Sequence, residues 1–136
     1  MRVIVVAVGR IRPPFSDAVA HYTKLLSRYT RLELIEVRDA AAACARVPQQ
    51  AFVSQLEVSG EALDSEELSE FLEERRRSGR DLCFVIGGPF GGLELPRSDH
   101  QLSLGRLTLP YQLTRVVLLE QIYRAHKILA GEPYHH

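Results

Sequence analysis

Short apolar runs alternate with amphipathic stretches along this chain. Residues 1–9 read MRVIVVAVG, a continuous β-branched run closed by glycine, which predicts a strand buried on both faces of a parallel sheet. Over residues 15–29, Ala18, Tyr22, Leu25 and Leu26 recur at helical spacing, with Ser16 or Asp17 as the cap. The alternation LELIEV at 32–37 predicts a second strand, whereas 38–50 is alanine-rich, carries Pro48 and shows no period. AFVSQLEV at 51–58 predicts a third strand, with a turn starting at Gly60. Asp64 stands three positions before Glu67, the spacing of a capping box, and Leu68, Phe71 and Leu72 form a helical stripe that stops near Gly79. LCFVI at 82–86 predicts another buried strand, which opens directly into the glycine-rich turn 87–92. A last strand is expected at 101–109, interrupted by Gly105, followed by the longest helix at 113–130 with Gly131 as its stop. Strands and helices in this order predict an α/β fold with a mostly parallel sheet flanked by helices.

The 136 residues, 46% of them hydrophobic, suit one globular domain over 1–136 with a core that needs no metal or disulfide. Cys44 and Cys83 stand far apart, which excludes a CxxC pair or zinc knuckle and fits a reducing setting. The apolar run at 3–8 is too short for a signal-peptide core or a membrane span, so the chain reads as cytoplasmic and unprocessed, with no membrane partner.

Seventeen basic and seventeen acidic side chains cancel, which at first argues against nucleic acid. Their distribution changes that picture. Residues 1–50 carry eight basic and four acidic groups, 51–74 none and eight, and 75–136 nine and five. Either basic and acidic faces are separated, or the acidic block is one solvated helix. Arg75, Arg76 and Arg77, at the end of that helix, also complement its dipole.

Ligands of open α/β sheets bind at the carboxyl ends of strands, where this chain places two glycine-rich turns. IGGPFGG at 86–92 lets a backbone approach a ligand closely, but it is neither GxGxxG nor a P-loop, so a nucleotide phosphate is a poor fit. LGRLTLP at 104–110 is the second, and turns at neighbouring strand ends point to a shared pocket. Each turn alone also reads as a structural bend. His21 and His100 lack evident partners, and His126 reads as a polar-face residue of the last helix. The adjacent His135 and His136 lack the partners of a metal site, and no metal is expected. No nucleophile elbow is present.

FVIGGPFGG, followed by LSLGRLTLPYQLTRVVLLEQIYRAHKILAGEPYHH, closely resembles the RlmH family of SPOUT-class methyltransferases, which act on N3 of a pseudouridine in large-subunit ribosomal RNA. VAVGRI and HYTKLL near the start resemble the same family. That resemblance implies a C-terminal trefoil knot, a homodimer, and S-adenosylmethionine as cofactor at the dimer interface. A knot is a topology that general folding rules disfavour. Carried over by position, the cofactor contacts are Leu56, Gly87, Leu104, Gly105, Arg106, Leu107, Thr108 and Leu109. The resemblance brings Tyr134 and His135 to the catalytic site, with Glu120 and Arg124 projecting from the last helix. Arg124 would stabilise developing negative charge or grip a phosphate, and His135 would accept or relay the N3 proton. An ordinary i,i+4 ion pair, worth ~0.3–0.5 kcal/mol, is the competing reading of Glu120 and Arg124. Arg10, Arg12 and Arg28 are expected phosphate contacts on ribosome or rRNA.

Three departures from the family pattern accompany the resemblance. Residues 38–50 are shorter than the family's segment by roughly a helix, Tyr111 replaces a histidine after the proline, and Gly91–Gly92 lengthens the first glycine turn. Two other functions compete: a SPOUT-like dimer that binds RNA without turnover, and a monomeric flavodoxin-like domain for another small ligand.

Overall fold

The computed structural model describes residues 1–89 and 93–136. Five parallel strands form one sheet: β1 (Arg2–Val8), β2 (Arg31–Val37), β3 (Phe52–Ala62), β4 (Leu82–Ile86) and β5 (His100–Ser103), in the order β2-β1-β4-β3-β5. That order is not the flavodoxin one, 2-1-3-4-5. It also separates β4 from β5 by β3, so the two glycine turns flank a common strand and are not at neighbouring strand ends.

Alternation along β1 explains the layers. Val3, Val5 and Ala7 face a core shared with Phe84 and Ile86, built against α1 (Phe15–Leu26), α3 (Ser65–Ser78) and α4 (Tyr111–Ala130). Ile4 and Val6 face the opposite side with Val53, Cys83 and Val85, covered by α2 (Ala40–Arg46) and the segment around Leu93. Buried on both faces, β4 and residues 3–7 of β1 have no polar positions, which is why they are legible as continuous apolar runs.

α2 lies within 38–50, the stretch whose sequence shows no period. Asp39 caps it by accepting from the Ala42 N–H at 2.8 Å, and Ala43 is its one buried residue. Seven residues with a single buried position show no period, so the cap was the available signal. At α1 neither Ser16 nor Asp17 is the cap; the helix starts after Pro14 with no side-chain cap. The capping box of Asp64 and Glu67 forms as expected, at 2.8 and 3.0 Å.

β3 departs most from expectation. It runs through Gly60 to Ala62, and Leu56 and Glu61 both register with Leu102, so residues 57–60 bulge out of the ladder. A Cβ at Gly60 would stand 2.7 Å from the Gln101 backbone, so this glycine serves a close approach to β5, not a turn. β5 ends at Ser103, and 104–110 leaves the sheet as irregular chain instead of continuing the strand.

Candidate active site

The bulge and the two glycine turns meet at the carboxyl edge of the sheet. They line a cleft with a cavity volume of about 160 Å³, open to solvent at its mouth. Leu56, Glu57 and Val58 of β3 form one side, Gly87 and Gly88 after β4 another, and Leu104, Gly105, Leu107, Thr108 and Leu109 the third. Tyr111 and Thr114 close it from the first turn of α4. Of the eight positions expected to touch a cofactor, Arg106 alone is absent from this lining; it stands exposed on the same turn. Leu56 lies within β3, inside the strand expected over 51–58. The expected lengthening at Gly91–Gly92 lies outside the described residues.

The lining is apolar except for two threonines, the Tyr111 phenol, backbone groups and one carboxylate, and it contains no Lys or Arg. Gln55, buried beneath, holds that carboxylate by donating to Glu57 Oε1 at 3.0 Å, and donates also to the Leu93 carbonyl. Such a donor set suits a neutral or cationic ligand and opposes a phosphate.

The Gly9 turn stands behind Tyr111. Gly9 has φ +103°, and a Cβ there would meet Tyr111 Cε2 at 2.8 Å, so the turn and the aromatic wall pack without a side chain between them. Arg115, 2% exposed, fixes this arrangement: it donates to Glu36 at 2.6 Å and to the Gly9 carbonyl at 2.9 Å. Glu36 in turn accepts from the Ile11 N–H at 2.7 Å. Sequence reasoning missed this pair because nothing in the periodicity of α4 marks Arg115 as buried.

The C-terminal residues form a second cluster. Arg124 contacts Glu120 Oε1 through Nε at 2.9 Å and Nη2 at 2.7 Å, and its Nη1 donates to His135 Nδ1 at 3.2 Å. Tyr134 donates to the same Glu120 oxygen at 3.3 Å, and its ring lies 4.8 Å from the guanidinium carbon. Side-chain exposures of 23% and 17% show that the Arg124–Glu120 pair does not lie on a solvated helix face. Burial, then the Glu120 charge, pushes the Tyr134 phenol up to about 12, so it stays a proton donor near neutrality. The Glu120 hydrogen bond raises the Arg124 guanidinium further above its usual range. Since Arg can only donate, His135 Nδ1 is the acceptor and its neutral form carries hydrogen on Nε2.

These four residues therefore come together, but not with the cleft of the same chain. With a helix rise of ~1.5 Å per residue, Glu120 and Arg124 lie about 9–15 Å along α4 from Thr114, which lines the cleft.

Residues 1–135 match the family described as "Predicted SPOUT methyltransferase". The chain belongs to the SPOUT methyltransferase family. Relatives of this SPOUT chain include the "Ribosomal RNA large subunit methyltransferase H" of Carboxydothermus hydrogenoformans, 40% identical, and proteins of that name from two Clostridium botulinum strains, both 37% identical. Each comparison covers 99% of both chains. These alignments run over 158 positions against 136 residues here, so this SPOUT protein is shorter than those relatives. The crystal structure of TrmJ from Z. mobilis ZM4 shares the fold, with a TM-score of 0.58 at 11% identity over 100% of this chain and 73% of that one.

His21 is exposed, as expected, but two other histidines differ from expectation. His100 is not a lone surface residue: its Nδ1 meets Ser54 Oγ at 2.9 Å and its Nε2 meets Glu61 at 3.2 Å. This serine–histidine–glutamate string is no hydrolytic site, since Ser54 is fully buried; it ties β3 to β5 on both sides of the bulge. His126 does not lie on a polar face. It stacks on Tyr29 at 5.8 Å, its Nε2 has no partner, and burial lowers its pKa. Among the described residues no helix is long and apolar enough to cross a membrane.

Proposed function

We propose that this chain transfers a methyl group from S-adenosylmethionine to N3 of a pseudouridine in large-subunit ribosomal RNA, acting as a homodimer on the assembled ribosome in the cytoplasm. The observation that carries this reading is the cleft at the carboxyl edge of the sheet. It is built from Leu56, Gly87 and the 104–109 turn, and its one charged group is a carboxylate. The residues fit S-adenosylmethionine: apolar walls suit an adenine, Glu57 suits a sulfonium or ribose hydroxyls, and the missing cations disfavour a nucleotide phosphate. The names of the relatives supply the RNA class, and the resemblance of the last strand and helix supplies the nucleotide and the trefoil knot.

S-adenosylmethionine, when bound, supplies an electrophilic methyl carbon. What remains for this chain's residues is alignment and proton removal. N3–H of a uracil ring is a weak acid. Arg124 favours its ionisation, Glu120 and the neutral Tyr134 hold the guanidinium in place, and His135 takes the proton. In the arrangement seen here the His135 lone pair faces Arg124, so the imidazole must turn from that contact to act as a base. The separation of this cluster from its own cleft supports a site completed by the tail of a second copy. Exposed apolar side chains at the cleft rim, Leu107 at 80% and Val58 at 47%, support the same pairing.

The test is transfer of labelled methyl to unmethylated large subunits, with free rRNA and subunits lacking the pseudouridine in parallel. Label restricted to pseudouridine-containing subunits is expected. No label on any RNA, with S-adenosylhomocysteine still bound, would replace catalysis by RNA binding alone. For the dimer, mixing inactive Gly105→Val and His135→Ala chains restores activity, because one of the two composite sites is then intact. A mixture as inactive as its parts would refute the shared site.

A further inference from the structure

The cleft lacks cations, but the turns around it do not. Arg10 and Arg12 follow β1, Arg38 follows β2, and Arg106 follows β5, all at the carboxyl edge of the sheet and all exposed. Arg10, Arg12 and Arg106 have no carboxylate within 4.0 Å among the described residues, and Arg38, with its side chain 91% exposed, meets only Asp39 at 3.5 Å. The acidic groups beside them are engaged: Glu36 by Arg115 and the Ile11 N–H, Asp39 by the cap of α2, and Glu57 by Gln55. Asp17 and Glu94 are the exposed exceptions. Elsewhere Arg2, Arg76, Arg77, Arg80, Arg97 and Lys127 each lie within 4.0 Å of a carboxylate.

We propose that Arg10, Arg12, Arg38 and Arg106 form a rim that grips the RNA backbone on both sides of the nucleotide presented to the cleft. This rests on the RNA-methylating reading above. A nucleotide carries a phosphate on either side of its ribose, and the rim offers cations on either side of the cleft: three beyond β1 and β2, one beyond β5. The backbone beneath the first group is held in advance. Gly9 N–H donates to the Val37 carbonyl at 2.8 Å, and Arg12 N–H to Gln112 Oε1 at 2.8 Å, next to Tyr111 in the cleft wall. Only side chains must order on binding, which keeps the entropic cost of the contact low. Arg28 is no part of this rim. It follows α1, which returns the chain to the amino edge of the sheet, where β2 begins.

The test is the salt dependence of binding to unmethylated large subunits. Each phosphate contact contributes ~0.7–0.9 to the slope of log K against log salt. The triple variant Arg10→Ala, Arg12→Ala, Arg38→Ala is expected to lose about 2–3 from that slope with unchanged affinity for S-adenosylhomocysteine, and Arg106→Ala to lose about 1. The corresponding triple lysine variant retains the slope because its charge remains, and Arg77→Ala on α3 leaves it unaltered. A wild-type slope in the triple alanine variant, or an equal loss in the lysine variant, would overturn the rim. The slope is read from binding, so wild-type protein that binds subunits without methylating them would refute the enzymatic reading while the rim is still decided. Wild-type protein that fails to bind subunits would overturn the rim.

Discussion

Replacing Gly105 by alanine separates backbone strain from packing at the cleft. Gly105 has φ +131°, a conformation that L residues rarely adopt, but a Cβ there would meet nothing within 4 Å. The substitution therefore creates strain of ~1–3 kcal/mol and no clash. The 104–110 segment belongs to neither a helix nor the sheet before Tyr111, and Leu107 within it is 80% exposed, so the turn can move without disturbing the core. Its local tie is Ser103 Oγ, which donates to the Gly105 carbonyl at 2.9 Å and accepts from the Gly105 N–H at 3.1 Å. Alanine relaxes by giving up that tie, and the binding shape of the turn must be rebuilt each time a ligand enters. The strain then appears in affinity: S-adenosylhomocysteine is expected to bind ~5–150-fold more weakly by calorimetric titration, with global stability in urea reduced by less than ~1 kcal/mol. Gly79→Ala is the matched control. Gly79 has φ +77° and equally open surroundings, but it ends α3 away from the cleft. Its strain should lower stability by ~1 kcal/mol and leave affinity unchanged. Affinity of Gly105→Ala within twofold of wild type, or equal losses of affinity in both variants, would refute the reasoning.

The ion pair behind the cleft should be asymmetric. Glu36→Ala leaves the Arg115 guanidinium charged with its side chain 3% exposed, and should cost ~3–5 kcal/mol, whereas Arg115→Met leaves Glu36 with 41% exposure to water and should cost ~1–3 kcal/mol. Urea denaturation checks the order, and a reversed order would mean that Arg115 is not held as a buried charge. Burial lowers the His126 pKa below its ordinary 6.5, so below that pH the unfolded chain binds a proton that the folded chain refuses. Stability should fall as pH drops through about 6.5, and His126→Gln should lose that part of the fall; identical pH profiles would contradict this. His135→Ala should reduce kcat by ~10²–10⁴-fold with S-adenosylhomocysteine affinity retained, and equal losses in both would remove its role in proton transfer.

Where burial is complete on both faces, the sequence determined the structure unaided. β4 and residues 3–7 of β1 are apolar at every position because neither face meets water, and the capping box of α3 and the glycine stops of α3 and α4 are local chemistry written within a few residues. The residues of the cleft were legible for a related reason. Glycines after buried strands mark the carboxyl edge of the sheet, and the order of motifs there carried the family resemblance. Contacts between segments distant in sequence were decided by the tertiary structure. Gly60 reads as a turn until Gln101 of β5 is placed against it, and only then do residues 57–60 become a bulge that walls the cleft. Arg115 reads as a polar helix position until β1 and β2 bring Gly9 and Glu36 to it. Strand order parted the two glycine turns by one strand, and the length of α4 parted Glu120, Arg124, Tyr134 and His135 from the cleft of their own chain. Periodicity reports how a segment meets water; it carries no record of which other segment arrives on its buried side.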